Sequence, residues 1–236
     1  MYKNNKIIAI IPARGGSKRL PNKNILPLDG KRLIEWTIEA TIKSKYIDTV
    51  VVSSDCDKIL DIVQRFTNVI ALKRPAEISS DDAKSIDVVV HTLDYFKNTK
   101  NIIFDYSIFL QPTSPFRDEY DIDNAIEYLF KQKADAVIGV TKMDHSPLWS
   151  NTLTQSNSMD NFLDENIINT RSQDLEEYYR INGAIYINNI KRLLNENRFI
   201  FSNNIYGYKM EQLKSIDIDT KFDLLFAETI LKEKNE

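Results

Sequence analysis

Short apolar or β-branched runs alternate along the chain with segments of helical period, and this alternation restricts the fold more than any other feature of the sequence. Extended segments are expected at residues 6–12, 49–53 and 69–72, and helices at 32–44 and 57–66. Strand and helix in turn predict an α/β domain with a largely parallel sheet. Ile59, Ile62, Val63 and Phe66 fall at i, i+3, i+4 and i+7, and Ile122, Ala125, Ile126, Leu129 and Phe130 repeat the pattern after the run 106–110. Such spacing gives a helix one apolar face, which turns to the core. Later strands are expected at 136–140 and 184–187, and Phe222, Leu225, Phe226, Thr229 and Ile230 stripe a last helix. With 236 residues, 42% of them hydrophobic, the chain can build one large domain or two small ones.

The alternation breaks between Thr141 and Tyr179, a stretch rich in Asn, Ser, Asp and Gln with weak periodicity. It is longer than a connection inside a compact domain normally runs, so it reads as an insertion serving as an active-site flap or a subunit contact. The formal net charge of −3 argues against a general nucleic-acid binder, which carries a basic excess to neutralise phosphates. One cysteine, Cys56, makes no internal disulfide, and it reads as packing. No signal-peptide core and no apolar stretch near the roughly 20 residues of a membrane span is present, so a cytoplasmic protein is expected.

The first strand exits into IIPARGGSKRLPNKN, residues 10–24, with two glycines, two arginines and two lysines. Glycines let the backbone turn sharply and bring its N–H groups near an anion, and the basic side chains add full charges. The stretch matches neither G-x-x-x-x-G-K-[ST] nor G-x-G-x-x-G. A solvated turn is the alternative, but ligands in open α/β folds bind outside the carboxyl ends of strands, which favours a nucleotide site. In SIDIDTKFDL, residues 215–224, an extended chain buries Ile216 and Ile218 and puts Asp217 and Asp219 together on the other side. Paired carboxylates suit Mg²⁺, held with substrate phosphates. The alternative is that Asp219 caps the final helix. Residues 73–89, 110–117 and 180–187 also place polar groups beside strand ends, Gln111 and Thr113 among them.

Taken together, PARGGSKRLPNKN, RPAEISSD, LQPTSPFR, NGAIYI and SIDIDT resemble, in order and over nearly the whole chain, the acylneuraminate cytidylyltransferase (CMP-sialic acid synthetase) family. The resemblance implies a Rossmann-like three-layer α/β domain of nucleotide-diphospho-sugar transferase type with a mainly parallel sheet. It makes residues 1–236 one cytidylyltransferase domain with a dimerisation and sugar-site insertion at about 141–182. Arg14, Gly15, Gly16, Ser17, Lys18 and Lys23 match the family's triphosphate loop. Asn24, Arg74, Ala83 and Ser85 match positions around cytosine and ribose. Gln111 and Tyr186 match sugar contacts, and Asp217 and Asp219 match the magnesium carboxylates. Ser172 stands where the family often has an arginine before the Gln of RQ-x-LP. Arg171 lies one residue early, and Arg180 keeps its place before NGAIY.

The implied reaction is attack of a sugar's anomeric hydroxyl on the α-phosphorus of CTP, releasing pyrophosphate. Its sugar is a nine-carbon α-keto acid, N-acetylneuraminic acid first, legionaminic acid or another nonulosonic acid as the alternative, and KDO less so. Catalysis falls to Lys23, Arg14, Asp217 and Asp219 with Mg²⁺, which Mn²⁺ can replace. The implied assembly is a homodimer whose insertion lends Arg171 or Arg180 to the partner's sugar site, without nucleic acid or membrane. His91 reads as structural and His145 as a candidate for lining the sugar site. A non-catalytic nucleotide-binding protein of the same fold stays open.

Overall fold

The computed structural model describes residues 1–235 apart from Asp81, so Asp81, the last residue of RPAEISSD, and Glu236 lie outside the described residues. The chain runs β1 (Ile7–Pro12), the two-residue hairpin strands β2 (Pro27–Leu28) and β3 (Lys31–Arg32), and α1 (Leu33–Lys43). Next come β4 (Thr49–Ser54), α2 (Asp57–Val63), β5 (Val69–Lys73), α3 (Ser85–Tyr95), β6 (Tyr106–Phe109), α4 (Glu119–Gln132) and β7 (Ala136–Lys142). The last elements are α5 (Glu165–Ile168), β8 (Tyr179–Asn189), α6 (Ile190–Glu196), β9 (Ile205–Lys209) and α7 (Lys221–Asn235).

Seven strands form the main sheet in the order β5-β4-β1-β6-β8-β7-β9. All neighbouring pairs are parallel except those of β8, which runs antiparallel to both β6 and β7. The period of two sorts each strand between two cores. Ile7, Ala9 and Ile11 pack with Ile34 and Ile38 of α1, Ile59 of α2 and Ile122 and Ile126 of α4. Ile8 and Ile10 pack on the other side with Val89 and Leu93 of α3 and Leu193 of α6. Helix, sheet and helix therefore make three layers. A third, small core gathers Leu28, Leu33, Phe116, Ile218, Ala227 and Leu231 around α7.

Two expectations change. The stripe of Phe222, Leu225 and Phe226 faces outward, with Phe222 85% exposed, while Leu224, Ala227 and Leu231 face the third core. Both stripes have helical spacing, and the hairpin and α1 decide which one is covered. β8 begins at Tyr179 rather than 184, because Asn182-Gly183 interrupts its apolar pattern at a register shift opposite Gly139. The irregular segment is correspondingly shorter, since β7 reaches Lys142 and only 143–178 lies outside strands. Among the described residues no helix is long and apolar enough to cross a membrane.

Candidate active site

From β1 the chain moves outward to β4 and β5, then returns across β1 to β6, so the strand order reverses between β1 and β6. A crevice opens at the carboxyl ends of strands at such a reversal. A cavity of about 390 Å³ lies there. The loop after β1 brings Arg14, Arg19, Lys23 and Asn24 to it, and the loop after β6 brings Gln111 and Thr113. Arg74, Ala83 and Ser85 form a further wall, and Asp217 and Asp219 approach from the segment before α7.

The β1 loop is shaped by Gly15, where a Cβ would lie 2.8 Å from Cys56 Cβ. Its N–H donates to Asp55 Oδ1 at 2.9 Å, so this amide serves the loop's own fold rather than an anion, contrary to the simplest reading of the glycines. Asn22, with φ 57, starts the 3₁₀ turn Lys23–Ile25 that presents Lys23 and Asn24. Buried Asn24 donates from Nδ2 to the Arg14 carbonyl at 2.9 Å and so fastens the two ends of the loop. Ser17 and Lys18 line an adjoining cavity of about 350 Å³ together with Arg14, Arg19 and Lys23. Arg74 is buried, donates to Ser53 O at 2.6 Å and Ser53 Oγ at 3.2 Å, and burial pulls its guanidinium down to about 10 against the opposing charge of Asp55.

Buried Arg117 organises the opposite wall. It donates from Nη1 to the carbonyls of Ala184 (2.7 Å) and Gln111 (3.3 Å), and from Nη2 to Thr37 Oγ1 (2.7 Å). Burial lowers its guanidinium to about 10, still charged at neutral pH. Tyr186 pairs with Phe109 across β8 and β6 and faces a third cavity of about 370 Å³, which meets the first at Ser85, Phe109 and Gln111. Phe199 and Ile200 complete its apolar side. The rings of Phe109 and Tyr186 stand 5.1 and 5.5 Å from Phe199. Burial, then the Asp217 charge, pushes the Tyr186 phenol up.

The carboxylate segment is tied down on both sides. Ile218 N donates to Thr113 O at 2.8 Å, and Asn182 Nδ2 donates to Ser215 Oγ at 3.0 Å. Lys214 reaches Asp118 (2.7 Å) and Asp121 (3.0 Å) at the start of α4. Ile216 and Ile218 join the third core, so Asp217 and Asp219 share the cavity side. Asp219 does not cap α7. Thr220 and Asp223 do, with Thr220 N and Oγ1 donating to Asp223 Oδ2 at 2.7 and 2.8 Å. Asp219 instead accepts from Lys23 Nζ at 2.7 Å and Arg19 Nη2 at 2.6 Å.

Burial pushes Asp217 up, and its buried Oδ1 has no hydrogen-bond partner. An orphaned carboxylate oxygen beside a second carboxylate fits a hard cation that completes its shell with phosphate and water oxygens. Among the described residues no group of three or more His, Cys, Asp or Glu is placed to hold a metal ion.

Not every sequence candidate comes to these cavities. Arg171 is 76% exposed and pairs with Asp174 at 2.9 Å, and Arg180 lies exposed on β8 opposite Thr141. His145 is exposed in the irregular segment. His91 is half-buried in α3, pushed down by burial and by Arg74. Sequence reasoning missed Arg19 and Arg117. Each lies inside a stretch it singled out, but neither periodicity nor spacing distinguishes a cavity-lining or buried arginine from a solvated one.

A model of the family described as Cytidylyltransferase matches residues 8–235. The chain is 33% identical to the CMP-N,N'-diacetyllegionaminic acid synthase of Legionella pneumophila, over 98% of each chain. It is 36% identical to the N-acylneuraminate cytidylyltransferase of Escherichia coli, over 98% of this chain and 53% of that one, so it spans about half the length of that relative. Two solved structures share the fold at 18% identity. CMP:2-keto-3-deoxy-manno-octonic acid synthetase complexed with CTP has a TM-score of 0.71, covering 97% of this chain and 99% of that one. The 4-diphosphocytidyl-2C-methyl-D-erythritol synthase of Anaerococcus prevotii has 0.66, covering 97% and 96%.

Proposed function

The chain belongs to the cytidylyltransferase family and is a nucleotidyltransferase, and we propose that it transfers the cytidylyl group of CTP to the anomeric hydroxyl of a nonulosonic acid, N-acetylneuraminic acid first. One observation carries this reading. The cationic β1 loop, the polar wall of Arg74 and Ser85, and the Asp217 and Asp219 carboxylates meet in one cavity, and a second, largely apolar cavity opens from it at Gln111.

The chemistry needs no protein nucleophile. The sugar hydroxyl attacks the α-phosphorus in line, the bond to the bridging oxygen breaks, and pyrophosphate leaves. Charge that gathers on the departing oxygens is met by Lys23 and Arg14, whose backbone the Asn24 bond to the Arg14 carbonyl holds in place. Asn24, Arg74, Ala83 and Ser85 hold base and ribose. Gln111 and Tyr186 orient the sugar on the other side of the shared opening. Asp217 and Asp219 would hold Mg²⁺, or Mn²⁺ in its place, which supplies positive charge to the phosphates. We place the enzyme in the cytoplasm as a homodimer in which the 143–178 segment carries Arg171, or the start of β8 carries Arg180, to the partner's sugar site. Sedimentation of a fully active monomer would remove that element.

The alternative sugar is N,N'-diacetyllegionaminic acid, favoured by the Phe109, Phe199 and Ile200 wall, which suits a second acetyl methyl better than a hydroxylated tail. Pyrophosphate release with CTP against N-acetylneuraminic, legionaminic and pseudaminic acids and KDO decides between them. Release with none of these would end the reading.

A further inference from the structure

Asp219 is gripped by two cations. Lys23 Nζ reaches Oδ1 at 2.7 Å and Arg19 Nη2 reaches Oδ2 at 2.6 Å, although Arg19 begins 200 residues away in sequence. The Arg19 side chain is 69% exposed, so as a surface ion pair its contact with Asp219 adds little to folding stability. A weak pair is readily exchanged. The smaller cavity gives it a place to go: Arg14, Lys18, Arg19 and Lys23 line it with a single acid, Asp219. Arginine's planar fork matches phosphate oxygens in pairs, which a lone lysine ammonium does not.

We propose that Arg19 is a polyphosphate-binding residue of this site, and that the Asp219 carboxylate competes with the polyphosphate for Arg19 and Lys23. A polyphosphate entering the cavity takes both cations from Asp219, whose oxygens are thereby freed to face a cation. Without one, the freed carboxylate repels the incoming phosphates. Asp219 thus opposes binding of a metal-free polyphosphate and leaves that of a metal-bound one largely unopposed. The proposal rests on the reading of the β1 loop as the triphosphate site.

The test is calorimetric titration of the full chain with inorganic tripolyphosphate in EDTA, which requires no turnover. Asp219→Asn should bind about tenfold or more tightly than the unsubstituted protein, because two charge-assisted contacts no longer have a rival. Asp217→Asn removes an equal charge from the adjoining larger cavity without touching either cation and should change binding by less than about threefold. Arg19→Ala should weaken binding, and in the Asp219→Asn background it should abolish most of the gain. Equal tightening by Asp217→Asn and Asp219→Asn would reduce the effect to general charge and overturn the competition. Unchanged binding by Arg19→Ala would overturn the role of Arg19. Failure of the cytidylyl reading looks different: tripolyphosphate behaves as described while no sugar yields pyrophosphate from CTP.

Discussion

Gly183 lies so close to Gln111 that a Cβ on the glycine would stand 2.8 Å from Gln111 Oε1. Its φ of +76° is a conformation that L side chains rarely adopt, so Gly183 combines a backbone need with a steric one. Both serve the opening at Gln111 where the cavities of about 390 and 370 Å³ meet. Gly183→Ala should cost about 1–3 kcal/mol of stability from the strained backbone. It should also raise KM for the sugar while leaving KM for CTP nearly unchanged. Thermal melting with two-substrate kinetics checks both, and an equal rise in the two KM values would count against the assignment of Gln111 to the sugar.

Arg117 lines none of the three cavities of the site, yet it holds the carbonyls of Gln111 and Ala184 and the hydroxyl of Thr37 together. Arg117→Met removes the donors and leaves those acceptors buried, which should cost about 2–4 kcal/mol in urea unfolding. Arg117→Lys, with a shorter reach and no fork, should recover only part of that loss.

The layered fold was legible because apolar alternation and helical stripes are local properties. The exit of β1 and the pairing of Asp217 with Asp219 were legible too, since strand-end position and a period of two need no tertiary knowledge. The direction and length of β8 were not. Asn182 is a polar residue buried for the sake of Ser215, and Gly183 is a glycine kept for Gln111, so both break the strand pattern for reasons that lie 33 and 72 residues away. The outward face of α7 was hidden for a similar reason, because its third-core partners Leu28 and Leu33 come from the far end of the chain. Arg19 gave no signal beyond charge, since its partner Asp219 is distant in sequence.

Lys214 anchors the carboxylate segment to α4, and its pH signature has a definite sign. Burial pushes the Asp118 carboxyl up, but hydrogen bonds from Lys214 and the Asp121 amide outweigh it and the net shift is downward. Burial leaves Asp121 raised, and it pushes Lys214 down, although the two aspartates carry Lys214 up to about 12. A lowered carboxyl stabilises the fold above its unfolded pKa of about 3.9, and that contribution is lost as pH falls through its folded value. Lys214→Met leaves two carboxylates facing each other, a repulsion that vanishes when both are protonated. The variant's stability deficit should be largest near pH 7 and shrink toward pH 3. Urea titrations at the two pH values measure it, and a deficit independent of pH would reduce Lys214 to packing.

Asp217 keeps a buried oxygen without a partner, and the metal reading depends on that oxygen. Asp217→Asn nearly preserves shape while removing the charge. Turnover should fall by about 10²-fold or more, with partial recovery at high Mg²⁺ or with Mn²⁺. Near-normal activity at ordinary Mg²⁺ would move the metal elsewhere.

Nucleotide choice follows from the way Asn24 is held. One N–H of its Nδ2 is committed to the Arg14 carbonyl at 2.9 Å, and its Oδ1 is the acceptor of a buried side chain that lines the cavity. An acceptor there suits the exocyclic amino group of cytosine, whereas the O4 of uracil would set one acceptor against another. A site built to accept a donor rejects an analogue lacking it by a large factor, because the buried oxygen is left unpaired. CTP should therefore exceed UTP in kcat/KM by roughly 10³-fold or more. Asn24→Ala removes the acceptor and also releases the Arg14 carbonyl, so CTP turnover should fall while the ratio of CTP to UTP collapses toward one. Asn24→Asp keeps an acceptor but cannot donate to Arg14, and it should lose loop order, seen as a higher KM for CTP, while retaining most of the preference. Equal use of CTP and UTP by the unsubstituted enzyme would show that Asn24 only fastens the loop and that the base is read elsewhere.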